Sequence, residues 1–72
     1  MVQEQTMSVI AGKKLKNHIK NSEYRTQENF AEAMNVDPVT VRRWIAHGIA
    51  KVDTIEEIAE MFDMSFMDFL TK

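Results

Sequence analysis

Cysteine is absent from this chain of 72 residues, which also contains only one proline and two glycines. Without cysteine there is no disulfide framework and no thiolate metal site, so a reducing, cytoplasmic setting is expected. No run approaches the roughly 18 apolar residues of a membrane span, and the N-terminal segment lacks the pattern of a signal peptide. There is no repeat, low-complexity tract or linker, so residues 1–72 are predicted to form one domain.

Catalytic patterns are missing as well. The two histidines, His18 and His47, have no nearby partners for metal ligation, and no nucleophile stands beside a base. His18 is expected at the boundary of a helix face and His47 in an exposed loop. Because no glycine-rich phosphate loop occurs either, the sequence predicts that the protein is not an enzyme and points to no cofactor.

The net charge of −2 is distributed unevenly along the chain. Residues 1–51 carry a formal charge of +3, whereas residues 52–72 carry −5. Because salt screens charges beyond about 8 Å at physiological ionic strength, a basic face can act independently of an acidic face elsewhere. The overall charge therefore does not exclude a nucleic-acid partner.

Apolar residues recur at helical spacing, and no stretch alternates with period two for long enough to make a strand. The pattern predicts five helices. The first three are expected at about Ser8 to Ser22, at Gln27 to Met34 or Asn35, and at Pro38 to about Ala46. Residues 1–7 are expected to form a flexible N-terminal arm.

Start and stop signals support the second and third helices. Thr26 can cap the second helix, and Asp37 followed by Pro38 marks the start of the third. Asn35 tolerates the left-handed conformation of a sharp turn, and Gly48 follows the end of the third helix.

Two further helices are predicted from capping patterns. The segment "DTIEE" offers two overlapping capping boxes, Asp53 with Glu56 or Thr54 with Glu57. The segment "SFMDFL" repeats the Ser-x-x-acid pattern for a short fifth helix. The residues expected to be buried in these helices are Ile55, Ile58, Ala59, Phe62, Phe66, Phe69 and Leu70.

Residues 27–46 have the pattern of two helices joined by a tight corner, as in a helix-turn-helix motif. Such helices cross steeply, so a small residue is needed where they approach, and Ala31 supplies it. Val36, Val41 and Trp44 are expected to fill the angle between them. Burial of Trp44 would remove about 150 to 250 Å² from water, which is worth roughly 4 to 6 kcal/mol. Trp44 is therefore predicted to anchor the third helix.

Nearly the whole chain, from Ile10 to Leu70, resembles the Cro/CI-like (XRE) helix-turn-helix family of phage and bacterial transcription regulators. The matching stretches are "GKKLKNHI", "TQENFAEAMNV", "TVRRW" with Gly48 behind it, and "IEEIAEMFDMSFMDFL". The resemblance implies a compact all-α, five-helix, lambda-repressor-like DNA-binding domain. It also implies a transcription regulator, foremost a repressor from a phage or mobile element, that binds double-stranded DNA sequence-specifically with the helix that starts at Pro38 in the major groove.

Carried over position by position, the resemblance implies that Pro38, Val39 and Arg43 contact base edges. The guanidinium of Arg43 could donate to guanine O6 and N7, and Val39 could pack on a thymine methyl group. Further positions are implied to contact the sugar-phosphate backbone. They are held here by Thr26, Gln27, Thr40 and Arg42, with His47 and Lys51 as additional candidates.

Departures from the family pattern leave an alternative open. Asp37 replaces the usual Ser or Thr and places an anion where phosphates would be repelled, and Asn35 replaces the usual Gly of the turn. Together with the −5 charge of residues 52–72, Asp37 favours a protein-interaction module, such as an antirepressor, that keeps the fold without binding DNA. Arg42 and Arg43 would then be ordinary solvated residues. The same is expected of four other residues: Lys13, Lys14, Lys16 and Lys20.

The segment "MFDMSFMDFL" carries more large apolar side chains than one small domain needs, and methionine surfaces adapt to partners. Phe66, Met67 and Leu70 are therefore candidate contacts of a homodimer. Two DNA-reading helices about 34 Å apart would then recognise a palindromic operator.

Overall fold

The computed structural model describes residues 6–72, which form five α-helices and no β-strand. The helices are α1 (Met7–Lys20), α2 (Gln27–Met34), α3 (Pro38–His47), α4 (Val52–Met61) and α5 (Phe66–Thr71). The predicted all-α architecture is thus confirmed. Of the predicted arm, residues 1–7, Thr6 caps α1 and Met7 begins it, while residues 1–5 lie outside the described part of the chain.

One hydrophobic core joins all five helices. α1 packs against α2, α3 and α5, and α4 packs against α5. The largest fully buried side chains are Leu15, Phe30, Val41, Ile49, Ile55, Ile58 and Phe69. Each such side chain contributes about 1.5 to 3 kcal/mol on burial, so the core holds the short helices in place. No helix within residues 6–72 has the length and apolar character needed to cross a membrane.

Side-chain caps start three helices at the predicted residues. Thr26, Asp37 and Ser65 each accept a hydrogen bond from a backbone N–H in the first turn of α2, α3 and α5, over 3.1, 2.8 and 3.1 Å respectively. These bonds satisfy donors that have no partner within the helix. α2 has its predicted bounds, while α1 ends at Lys20 rather than Ser22, and α3 ends at His47 rather than Ala46.

The predicted capping boxes of the fourth helix are wrong. α4 begins at Val52, and its N-cap, Lys51, makes no side-chain hydrogen bond. Ile49 just upstream is buried, and its N–H donates to Ser8 O over 2.9 Å. Because the chain is anchored at Ile49, only a short connection remains before the helix, and the start of α4 is set by this anchor rather than by a side-chain cap.

The corner between α2 and α3 consists of residues 35–37. Asn35 has φ 65° and ψ 44°, the left-handed conformation predicted for it, and the N–H of Val36 donates to Ala31 O over 2.9 Å. Ala31 is fully buried, as expected for a small residue where two helices joined by a short corner approach each other. The corner therefore brings the start of α3 close to the end of α2.

The backbones of α1 and α3 approach each other directly at Gly12. A Cβ atom on Gly12 would overlap the main-chain carbonyl oxygen of Trp44, so only glycine fits there. At the end of α3, Gly48 has φ 104°, and a Cβ atom on it would lie 2.8 Å from Ser8 O. Two glycines thus permit the first half of α1 to pack closely against the end of α3.

The role predicted for Trp44 needs correction. Trp44 is only half-buried and packs against the edge of the core, whereas Val41 is the fully buried side chain of α3. Because the α1 backbone passes so close to Trp44, there is no room for the indole to lie wholly between the helices. α3 is therefore anchored by Val41 and by main-chain contact with α1.

His18 is buried in the core, with 8% of its surface exposed, and not at the edge of a helix face as expected. Its Nε2 donates to Phe69 O over 3.0 Å, and its ring lies 5.0 Å from that of Phe69, so it ties α1 to α5. Phe62 stands at the centre of an aromatic cluster that also contains His18, Tyr24, Phe30 and Phe69, with centroid distances from Phe62 of 5.1 to 6.2 Å.

Candidate nucleic-acid interface

One face of α3 is turned away from the core. Val41 is buried, and Trp44 and Ile45 are half-buried against the core, so the other side of the helix faces solvent. We call this side the outer face of α3. Its exposed residues are Val39, Arg42, Arg43, Ala46 and His47.

The three candidate base-contacting residues lie in the first six residues of α3. Pro38 is the first residue of the helix and is half-buried, while Val39 is 43% exposed. Arg43 is exposed and forms no ion pair with any residue between 6 and 72. Its guanidinium is therefore available to a planar acceptor pair such as a guanine edge.

Arg42, a candidate phosphate contact, is paired with an acid. Its Nη1 lies 3.6 Å from Glu28 Oε2, and the two side chains are 52% and 67% exposed. The pair links the first turn of α2 to the middle of α3. It places the start of α2 beside the outer face of α3, and it also reduces the positive potential that Arg42 presents.

Thr26 and Gln27 stand at the start of α2. The hydroxyl oxygen of Thr26 accepts from the N–H of Asn29, so its own proton remains free to be donated outward. Gln27 is half-buried as the first residue of the helix. The free amides and the positive dipole end of α2 favour an anion at this place.

Basic side chains surround the same helix start, which the sequence interpretation missed. Lys16 and Lys20 of α1, together with Arg25, line a cleft of about 380 Å³ that also borders Thr26 and Gln27. We call it the cationic cleft. From the sequence, these lysines are predicted to form a solubilising face. The cleft is recognised only from their proximity to Arg25 in the folded protein, which helical spacing does not reveal. The left-handed φ of 68° at Arg25 belongs to the turn that brings them together.

The remaining phosphate candidates are more scattered. Thr40 is half-buried in the first turn of α3, and His47 is exposed as its last residue. Lys51 is exposed at the N-cap of α4. His47 and Lys51 therefore lie at the far end of α3 from Asp37.

Acidic groups interrupt this basic surface. Asp37 is exposed at the N-cap of α3, with Oδ1 engaged by the N–H of Val39. Glu28 borders the cationic cleft as well as pairing with Arg42. Both carboxylates oppose the approach of a phosphate, although the capping bond holds one oxygen of Asp37 toward the helix.

A second surface, on α4, is mainly acidic. The exposed side of α4 carries four carboxylates, and none of them forms an ion pair within residues 6–72. They are Asp53, Glu56, Glu57 and Glu60. This helix side would repel a polyanion, so it does not belong to a DNA-binding surface.

The candidate dimer contacts differ in exposure. Phe66 and Leu70 are half-buried and pack against the core, whereas Met67 is 62% exposed. Met67 is the most exposed of the large apolar side chains in the described part of the chain. It would be the centre of any contact that α5 makes with another molecule.

Comparison of the chain with protein-family models, with curated proteins and with solved structures finds no match.

Proposed function

We propose that the chain is a sequence-specific double-stranded DNA-binding regulator of transcription, with a helix-turn-helix of the Cro/CI-like (XRE) type formed by α2 and α3. In this proposal the protein is cytoplasmic and non-enzymatic. The observation that carries the proposal is the outer face of α3, which lies open to solvent and bears Arg43, a cation with no ion pair among residues 6–72. A ten-residue helix is about 15 Å long, and the major groove accepts a helix of this kind.

Basic groups on neighbouring helices, with Glu28 between them, support the placement on a duplex. Arg42 contacts Glu28, and Glu28 borders the cationic cleft that Lys16, Lys20 and Arg25 line. With α3 in the groove, the start of α2 and the cationic cleft would meet the phosphates of a flanking strand. Phosphate contacts fix the orientation of the protein, while Pro38, Val39 and Arg43 would read bases.

The proposal is tested by selecting bound DNA from a random duplex pool. We expect enrichment of a defined motif, and a log affinity that falls with log salt by about 0.9 per neutralised phosphate. A palindromic motif with half-sites about 34 Å apart would indicate a dimer on DNA. Absence of any binding at low ionic strength would overturn the proposal.

A protein-interaction module, such as an antirepressor, is the second candidate. The acidic side of α4, whose carboxylates form no ion pair in the described residues 6–72, and the exposure of Met67 favour it. A basic partner with an apolar contact would fit this end of the molecule. The two candidates differ in the low-salt titration. A protein-interaction module would not bind random or genomic DNA even at low ionic strength.

A further inference from the structure

A second cleft lies between the α1–α2 loop and the turn that joins α4 to α5. Its volume is about 340 Å³, within the range of roughly 300 to 1,000 Å³ that small-molecule sites occupy. We call it the aromatic cleft, because His18, Tyr24 and Phe62 line it. None of the residues proposed above to contact DNA borders it.

The rings of the aromatic wall are hydrogen-bonded to the main chain or packed against one another. The OH of Tyr24 donates to Met61 O over 3.2 Å, and Nε2 of His18 donates to Phe69 O over 3.0 Å. The ring of Phe62 lies edge-on to Tyr24 at 5.9 Å and tilted to His18 at 5.6 Å. Because each ring is fixed by its neighbours, a ligand would meet a preformed wall and cause little loss of side-chain entropy.

The open side of the aromatic cleft carries negative charge. Glu23 of the α1–α2 loop and Asp63 of the α4–α5 turn both line it and are both exposed. Neither forms an ion pair within residues 6–72, and no lysine or arginine is among the lining residues. The electrostatic preference of this opening is therefore for a cation.

We propose that the aromatic cleft binds a small organic cation that carries an apolar or aromatic body, such as an arylalkyl amine. The body would pack on the rings of Tyr24 and Phe62, while the ammonium group would lie between Glu23 and Asp63. Aromatic faces attract cations by about 0.5 to 1 kcal/mol even at exposed sites, so rings and carboxylates favour the same ligand. An anionic ligand of the same shape would be repelled.

This site offers a route to regulation. The loop that supplies Glu23 and Tyr24 to the aromatic cleft continues into Arg25, which lines the cationic cleft. A ligand that binds one conformation of this loop more tightly than another would favour that conformation. The position of Arg25 in the cationic cleft would shift with it. This regulatory consequence rests on the proposed DNA binding, whereas ligand binding itself does not.

The test is a titration of the ¹⁵N-labelled protein, without DNA, followed by two-dimensional NMR. The probe is 2-phenylethylamine, which is protonated at neutral pH, and the comparison compounds are the neutral 2-phenylethanol and the anion 3-phenylpropionate. We expect amide shifts concentrated at residues 18–24 and 61–64, with a Kd of about 1 mM or tighter for the amine. The alcohol and the anion should bind several-fold more weakly.

Substitutions at three exposed acidic residues test which charges bind the amine. Glu23→Gln and Asp63→Asn should each weaken amine binding about threefold to fivefold, as expected for loss of one exposed ionic contact. Asn tolerates the left-handed φ of 60° at position 63, so Asp63→Asn preserves the turn. Glu60→Gln removes the same charge from an exposed site outside the cleft and should leave binding unchanged. Equal binding of amine and alcohol, equal effects of all three variants, or no shift at about 10 mM amine would each overturn the proposal.

Discussion

Arg42 Nη1 lies 3.6 Å from Glu28 Oε2, so a cation on the outer face of α3 is shared with an anion at the start of α2. Both side chains are more than half exposed, and exposed pairs contribute only about 0 to 1 kcal/mol to folding. The contact therefore matters little for stability. It matters more for the potential that this face presents to a polyanion.

The first prediction concerns this pair. Glu28→Gln should leave the free energy of unfolding nearly unchanged and should tighten binding to DNA of any sequence, because Arg42 is released to a phosphate. The slope of log affinity against log salt should steepen by about 0.9. Fluorescence anisotropy with a labelled duplex over a range of salt concentrations measures both. Glu32→Gln is the matched control, since Glu32 is an exposed acid of the same helix outside any described ion pair. Identical salt slopes for the two variants would exclude this role of the pair.

Arg43 and Arg42 should differ in what they recognise. Arg43→Ala should reduce discrimination at one base pair of the operator by about 1 to 3 kcal/mol, because the guanidinium would read a guanine edge. Arg42→Ala should instead weaken binding to all sequences by a similar factor. Titrations against a set of single-base-pair operator variants separate these outcomes. A uniform loss for Arg43→Ala would place this residue on phosphate rather than on a base.

Asp37 should oppose DNA binding while it stabilises α3. Asp37→Asn keeps a capping acceptor for the N–H of Val39 and removes the charge, so stability should change little and DNA affinity at low salt should rise. Asp37→Ala removes the charge and the cap together, and should lower the free energy of unfolding by about 1 kcal/mol. Urea unfolding and DNA titration of both variants give the comparison. The prediction fails if Asp37→Asn weakens DNA binding.

Replacement of Gly12, even by alanine, should lower the free energy of unfolding. In an ordinary helix interior, Gly→Ala stabilises by roughly 0.5 to 1 kcal/mol. Here the added methyl group would overlap the carbonyl oxygen of Trp44, so Gly12→Ala should destabilise by about 1 to 3 kcal/mol. Urea unfolding measures the sign, with Asn17→Ala as the control at an exposed site of α1. A stabilising Gly12→Ala would contradict the close approach of the two backbones.

Met67 should be the main apolar contact of a homodimer. Met67→Gln should weaken self-association by about tenfold, the factor that corresponds to roughly 1.4 kcal/mol, while Met7→Gln should not. Met7 is a fair control because it is a large apolar side chain that is 46% exposed on another helix. Analytical ultracentrifugation over a concentration series measures the dissociation constants. A wild-type protein that stays monomeric throughout the series would rule out this contact.

The features that were predictable from the sequence are the local ones. The caps at Thr26, Asp37 and Ser65 and the left-handed turn at Asn35 depend on residues within a few positions of each other, so the sequence pattern contains their cause. The start of α4 was not predictable in this way. It depends on the hydrogen bond from Ile49 to Ser8, two residues that are distant in sequence.

Parts of the candidate site could not be predicted, because they too depend on contacts between residues that are distant in sequence. The exposure of Arg43 follows from helical spacing, whereas the Arg42–Glu28 contact and the cationic cleft require the crossing of separate helices. His18 is buried because Phe69, which accepts its hydrogen bond, folds back from the other end of the chain. Periodicity could place these residues on helices but could not pair them.

The contact between Gly12 and the carbonyl of Trp44 limits how this molecule can change. Where two main chains touch, the helices cannot move closer together, so smaller core side chains nearby cannot draw α3 nearer to α1. The shortest distance between α3 and α1 is therefore set by the two backbones. If α3 reads DNA as proposed, exchange of its outward side chains changes the recognised sequence without any need to bring the helix closer to the core.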